Sequence, residues 1–321
     1  MMAGAVLQTA ARSRPAARFA RRAAGVLPCG RRHEEVTAMD LARLARTALI
    51  AAALAAATIP GMAPARAATC GVGGDGFEAW LAGFKQEAAR QGISAAVIEA
   101  ALADAAYDAS VIAHDRGQRV FQQSFGQFSA HRITPFALRK GRTLLLRWAG
   151  PLRRIEARYG VPGPVLVAIW GLETGFGASS GDFPTFGALA TLAYDCRRAE
   201  RFRAELLDAL RIVQRGDLEP AQMRGAWAGE IGQTQFMPSS YLKYAVGADG
   251  GRGGDLIANP ADALASTANF LQANGWRRGA RWDEGEPNFA ALLEWNAASV
   301  YARTIAAFAD RLTAAAGGEA Q

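Results

Sequence analysis

A mainly α-helical fold is predicted, on three observations. Apolar residues recur at helical spacing through most of the chain from Phe77 to Leu312, and the strict alternation that marks strands is sparse. Glycine, 35 residues in all, gathers in stretches at 171–187, 225–239 and 247–254. Irregular loops carried by a helical frame are where binding and catalysis concentrate.

The elements follow in order. Residues 68–76 read as a flexible leader, with Asp75 as the cap of a first helix. Phe77, Trp80, Leu81, Phe84 and Ala88 then keep helical spacing until Gly92 stops the run. Ser94 caps a second helix with Val97, Ile98, Ala101 and Leu102 inward. A third stretch, 136–159, places Leu144, Leu145, Trp148, Leu152 and Ile155 on an apolar stripe. The arginines among them (139, 142, 147, 153, 154, 158) read as a solvated face. Gly160-Val161-Pro162-Gly163-Pro164 breaks the chain before a helix from Val165 to Glu173, and further helices are expected at 198–215, 260–275 and 289–313. Residues 314–321 read as a disordered tail.

The chain has 321 residues, is 50% hydrophobic and 20% charged, and carries a net charge of +7. That excess is local. Residues 1–67 hold ten Arg and three acids, leaving 26 basic and 26 acidic side chains in the rest. A neutral body argues against nucleic acid as a partner. Within the first segment, Met39 opens a short basic stretch (Arg43, Arg46), an apolar run follows from Thr47 to Ile59, and Ala65-Arg66-Ala67 closes it. This is the three-part layout of a secretory signal at 39–67, too short for a permanent span. Residues 1–38 are expected to be an over-extended start, with Met39 the initiator, and the mature chain is expected to lack a transmembrane segment.

Beyond the expected cut, two cysteines remain, Cys70 and Cys196. An even pair in an oxidising compartment invites a disulfide. Two independent thiols, or a lipid anchor at Cys70, are the alternatives; Thr69 is a poor residue before a lipidated cysteine.

Elimination narrows the chemistry. Only His33, His114 and His131 occur, with no His-Glu-x-x-His and no Cys-x-x-Cys, so no metal or cofactor is expected. Gly177-Ala178-Ser179-Ser180-Gly181 matches the nucleophile-elbow pattern, but it follows a helix and has no downstream His. Carboxylate chemistry remains. Glu173 ends an almost wholly apolar helix, between Ile169, Trp170 and Phe176. Poorly solvating surroundings penalise a carboxylate and raise its pKa, which suits an acid that protonates a glycosidic oxygen. From spacing alone, an exposed Glu at a helix end is an equal alternative.

A second constellation runs from Arg224 to Tyr241 (RGAWAGEIGQTQFMPSSY). Its small residues allow close backbone approach. Gln233, Thr234 and Gln235 offer amides and a hydroxyl, and Trp227, Phe236 and Tyr241 offer stacking faces. A third, Trp295-Asn296 with Tyr301, is weak alone.

Together these segments resemble the membrane-bound lytic murein transglycosylase B family and its soluble relatives, from about Phe77 to Leu312. Its most specific pieces are AIWGLET at 168–174 and AGEIGQTQFMPSS at 228–240, joined by the stretch from Asp262 to Trp276 and by Trp295-Asn296. The resemblance implies a lysozyme-like catalytic domain over 77–313, with additional N-terminal helices and Gly-rich active-site loops. It implies cleavage of the MurNAc-β-1,4-GlcNAc bond of peptidoglycan to 1,6-anhydro ends, with Glu173 as acid and then base. Gln235, Asn296 and Tyr301 fall at substrate-binding positions, and Gln233, Phe236, Phe270 and Trp295 are further candidates. A periplasmic monomer is expected, with glycan strands and other cell-wall enzymes as partners.

Departures from the family pattern are Ala226, where many members have a sugar-contacting Ser, and Trp295 and Phe270, where Tyr is common. Some members hold a metal in an Asp-rich loop; Gly247–Arg252 here has one carboxylate and an Arg, so no metal is expected. Two alternatives stand beside the lytic enzyme. One is a hydrolytic muramidase using Glu230, Asp182 or Asp195 as base; the other is a non-catalytic glycan-binding scaffold.

Overall fold

The computed structural model describes residues 69–117 and 123–317. The expected extension at 1–38, the signal at 39–67 and the last residues of the tail lie outside the described residues. No helix among the described residues is long and apolar enough to cross a membrane.

The fold is mainly helical, as the periodicity predicts. The first helix, α1 (Phe77–Arg90), buries Phe77, Trp80, Leu81, Phe84 and Ala88. Its cap is Gly76 in left-handed backbone rather than Asp75. The leader before it is tied to the body at several points. Cys70 and Cys196 form a disulfide, Gly71 N donates to Tyr194 O at 2.9 Å, and the Tyr194 hydroxyl donates to Asp75 O. Then come α2 (Ala95–Leu102), with the Ser94 hydroxyl accepting from Val97 N, and α3 (Ala109–Arg116) and α4 (Phe125–Arg132), two short helices whose period the sequence hides. Asp108 caps α3, and Ser124 with Gln127 forms a capping box on α4.

The stretch expected to be one helix over 136–159 is two, α5 (Pro135–Arg147) and α6 (Ala149–Tyr159), which meet at Trp148. Pro151 supplies the reason. It has no N–H for the Arg147 carbonyl and its ring crowds that oxygen, so it fits only in a first turn.

The centre of the core is α7 (Gly163–Thr174), in which Val165 through Ile169 are fully buried. A helix apolar on all sides is enclosed on all sides. After it, α8 (Thr185–Tyr194) lies partly inside a stretch expected to be irregular, and is likewise buried along its length. It packs beside α9 (Ala199–Gln214), which turns Phe202, Leu206, Leu210 and Ile212 inward and half-buries Arg201, Arg203 and Arg211 at its sides. A two-residue strand β1 (Phe183–Pro184) pairs antiparallel with β2 (Arg224–Gly225), tying the entry of α8 to the glycine-rich segment beyond. That segment leads into α10 (Pro238–Tyr244), whose first turn is capped by Glu205 of α9: its carboxylate accepts Ser239 N at 2.9 Å and Ser239 Oγ at 2.8 Å.

Next is α11 (Pro260–Ala273). The last expected helix, 289–313, is again two, α12 (Phe289–Trp295) and α13 (Ser299–Gly317). Asn296 turns extended (φ −149, ψ 113) and its Oδ1 accepts Ala298 N at 3.0 Å, a local bond that competes with helix continuation. Helix α13 runs past residue 314, where the tail was expected to begin, and packs along α7.

Candidate active site

Glu173 occupies the last turn of α7, and the chain leaves it through Gly175, Phe176 and Gly177, all left-handed (φ 60, 64 and 73). A bulky residue in that region costs about 1–3 kcal/mol and needs compensation. Here the Phe176 ring packs edge-on to Trp170 and Phe308, and Gly171 leaves it room: a Cβ there would lie 2.7 Å from the ring. The Thr174 hydroxyl ties the turn, accepting Gly177 N at 2.9 Å and donating to Gln233 O at 2.7 Å.

Glu173 as a residue is 7% exposed. Its Oε1 accepts the indole N–H of Trp295 at 2.9 Å. Tyr301 stands close enough to favour the carboxylate, yet its buried hydroxyl completes no hydrogen bond of good geometry, so the Trp295 bond is the firmer of the two. Burial dominates and pushes Glu173 up to about 8; the Trp295 and Tyr301 donors and, more weakly, Arg132 pull it down, while the Glu230 carboxyl adds to the rise. The Tyr301 phenol is raised in turn, by burial first and then by Glu173.

Above this pair lies a tight loop. Ile231 and Phe236 exchange backbone hydrogen bonds of 2.7 and 2.9 Å, and Gln235 takes a left-handed backbone (φ 56) within the loop. Gly225 is required beneath it, because a Cβ there would sit 1.8 Å from Glu230 O. Gln233 is a strut: its Oε1 accepts Trp170 Nε1 at 3.1 Å and its Nε2 donates to Ile257 O at 3.0 Å. Gln235 Nε2 donates to Ser180 O and Gly232 O.

Phe236, Phe270 and Trp295 meet edge-on, with ring centroids 5.1–6.2 Å apart, and all three are buried. They form a wall behind the carboxyl rather than open stacking faces. Tyr241 is also core, its hydroxyl on Gly254 O at 3.0 Å. Asn296 is buried with Oδ1 committed to the α13 entrance and Nδ2 unpartnered.

Of the other carboxyls, Glu230 is 1% exposed and burial pushes it up to about 7; its Oε2 accepts Ala228 N at 3.1 Å and its Oε1 has no partner. Asp195 is committed to Arg116 and to the Arg197 amide, and Asp182 is exposed. At the 247–252 loop, Asp249 and, from the helix that follows, Asp262 accept backbone amides of Gly251, Ala248 and Asp255. A surface cavity of about 420 Å³ opens there, lined by none of the residues around Glu173. Among the described residues no cluster of three or more His, Cys, Asp or Glu side chains is gathered as a metal ligand set.

One position matters that the sequence reading did not single out: Gly171, which with Trp170 and Phe176 braces the turn after Glu173. The triple left-handed backbone is the signal, and its two glycines at 175 and 177 hint at it.

The helical frame, with Glu173 buried at a helix end near glycine-rich loops, fits the lysozyme-like domain that the resemblance implies. Residues 76–285 match the transglycosylase SLT domain. The chain belongs to that family. Over 148 residues it is 38% identical to membrane-bound lytic murein transglycosylase B of Escherichia coli; the match takes in 46% of this chain and 41% of that protein, so this chain spans about two fifths of the relative's length. SltB3 from Pseudomonas aeruginosa, solved in complex with NAG-NAM-pentapeptide, is 32% identical with a TM-score of 0.71, covering 75% of this chain and 80% of that one. The same protein solved with NAG-anhNAM-pentapeptide superposes with a TM-score of 0.70 at the same coverage.

Proposed function

We propose that the protein is a lytic transglycosylase that cleaves the MurNAc-β-1,4-GlcNAc bond of peptidoglycan without consuming water. One observation carries this reading: a buried carboxyl, raised to about 8, sits against donors that favour its charged form. Near pH 7 Glu173 begins protonated and gives its proton to the glycosidic oxygen. The bond from MurNAc C1 to that oxygen breaks, GlcNAc leaves as an alcohol, and Trp295 and Tyr301 stabilise the new carboxylate. The carboxylate then takes the proton of the MurNAc C6 hydroxyl as that oxygen bonds to C1, and Glu173 is restored. An internal nucleophile needs no second carboxylate. The anhydro-muramoyl ligand solved with SltB3 agrees with this chemistry. Gln235, Asn296 and Tyr301 contact the sugars, and Gln233, Phe236, Phe270 and Trp295 support them from behind. The disulfide fits an oxidising compartment, and the periplasm is the proposed location.

A hydrolytic reading is favoured only by Glu230, raised to about 7 with one oxygen unpartnered. At 1% exposure it is set deeper from solvent than Glu173, which speaks against its activating a water. Digestion of purified sacculi decides the matter. Anhydro ends, lighter than reducing ends by one water, are expected from wild type and from Glu230→Gln, and none from Glu173→Gln. Reducing ends alone would establish the hydrolase; binding without any cleavage would establish a scaffold.

A further inference from the structure

Among the described residues, the large exposed apolar side chains are Val72, Phe136 and Leu146. Two of these lie on one helix, α5, at 66% and 73% exposure. At about 100° per residue, Phe136, Arg139, Arg142, Thr143, Leu146 and Arg147 fall within one sector of roughly 140°, and every one of them is exposed. The opposite face holds Leu138 and Gly141, buried against the core. No acid interrupts the outer face.

Nor are its charges used internally. The side chains of Arg139, Arg142 and Arg147 make no hydrogen bond or ion pair with any described residue, whereas Arg197, Arg198 and Arg203 are each paired with a carboxylate. The surrounding segment, 124–172, contains eight Lys and Arg and one acid, Glu156. The chain beyond residue 67 is neutral overall, so its positive charge is segregated here.

We propose that this face of α5 docks on an anionic phospholipid bilayer. A dissolved polyanion would be served by the arginines alone and gives Phe136 and Leu146 nothing to enter. A bilayer interface uses both: apolar side chains reach the acyl boundary while guanidinium groups pair with phosphates. A second copy is a poor occupant, because two-fold pairing would set three arginines against three with no acid between. The same helix reaches the candidate site from the flank of this face, where Lys140 Nζ donates to Gly175 O at 2.9 Å. Docking would therefore hold the Glu173 turn at a set height above the membrane. The proposal does not depend on which reaction Glu173 performs.

The test uses the full chain with Cys29→Ser and Leu146→Cys, labelled with an environment-sensitive fluorophore at the one free thiol. Because the probe reports contact at position 146, lipid binding by residues 1–67 does not mimic it. Phosphatidylglycerol vesicles are expected to brighten the emission and shift it to the blue. Phosphatidylcholine vesicles should not, and the same label at Asp104 should stay silent. Adding Arg139→Ser, Arg142→Ser and Arg147→Ser should weaken the response about a hundredfold. Silence with phosphatidylglycerol, or an equal response to phosphatidylcholine, overturns the proposal. So does a response to polyglutamate without lipid, which would make the partner a soluble polyanion, or one that grows with protein concentration alone, which would make it a second copy.

Discussion

Replacing Glu173 by Gln is expected to abolish lysis and, at the same time, to stabilise the fold in a pH-dependent way. The carboxyl ionises near 4.5 in the unfolded chain and near 8 when buried. Between those values the folded state keeps a proton that the unfolded state gives up. Stability is therefore complete below about pH 4.5 and falls as pH rises, by about 1.4 kcal/mol per unit, until it levels off above about pH 8. By pH 7 the loss reaches about 3 kcal/mol. Gln never ionises, and its amide oxygen can still accept from Trp295 Nε1. The variant should match wild type near pH 4.5 and exceed it by about 3 kcal/mol at pH 7, a rise of about 6–12 °C in Tm for a domain of this size. Urea denaturation of both proteins at pH 4.5, 7 and 8.5 measures the difference directly. A gain that is the same at all three values, or absent at pH 8.5, would refute the claim that burial holds this group protonated.

Three further outcomes are expected. Trp295→Phe removes a donor that favours the carboxylate, so the basic limb of the kcat/KM profile should move above pH 8 by about one unit; turbidity assays across pH check this, and an unmoved limb counts against the 2.9 Å bond. Gly171→Ala drives a methyl into the Phe176 ring, which should cost about 1–3 kcal/mol in urea and depress lysis further by displacing the turn after Glu173. Lysis that survives undiminished would mean the turn is not held by that contact. Cys196→Ser opens a loop of 126 residues and should cost about 2–5 kcal/mol while leaving kcat unchanged where the variant is folded; equal Tm with and without reductant in wild type would contradict it.

The helical frame was legible where one face is apolar over several turns, as in α1, where each of the five periodic residues is buried. It was illegible where a break depends on one residue inside a continuous apolar run. Pro151 splits 136–159, and Asn296 splits 289–313, yet periodicity continues across both. Short helices such as α3 and α4 hold too few turns to display a period. In the site, the apolar surroundings of Glu173 pointed to a raised pKa, because those neighbours are local in the chain. Partners distant in sequence were misread. Gln233 looked like a free amide for sugar, but Trp170 and Ile257 consume it. Trp295 was a candidate sugar contact, and it is a buried donor to a residue 122 positions away.

That separation has a consequence for the newly made chain. Glu173 emerges midway through synthesis, but the helices that close over it and exclude water, α12 and α13, arrive only at the end. A nascent or C-terminally clipped polypeptide would present an ordinary wet glutamate, ionised at neutral pH and with no proton to give. Latency of this kind needs no inhibitor. The proposed activity would switch on only once the last helix has closed over α7.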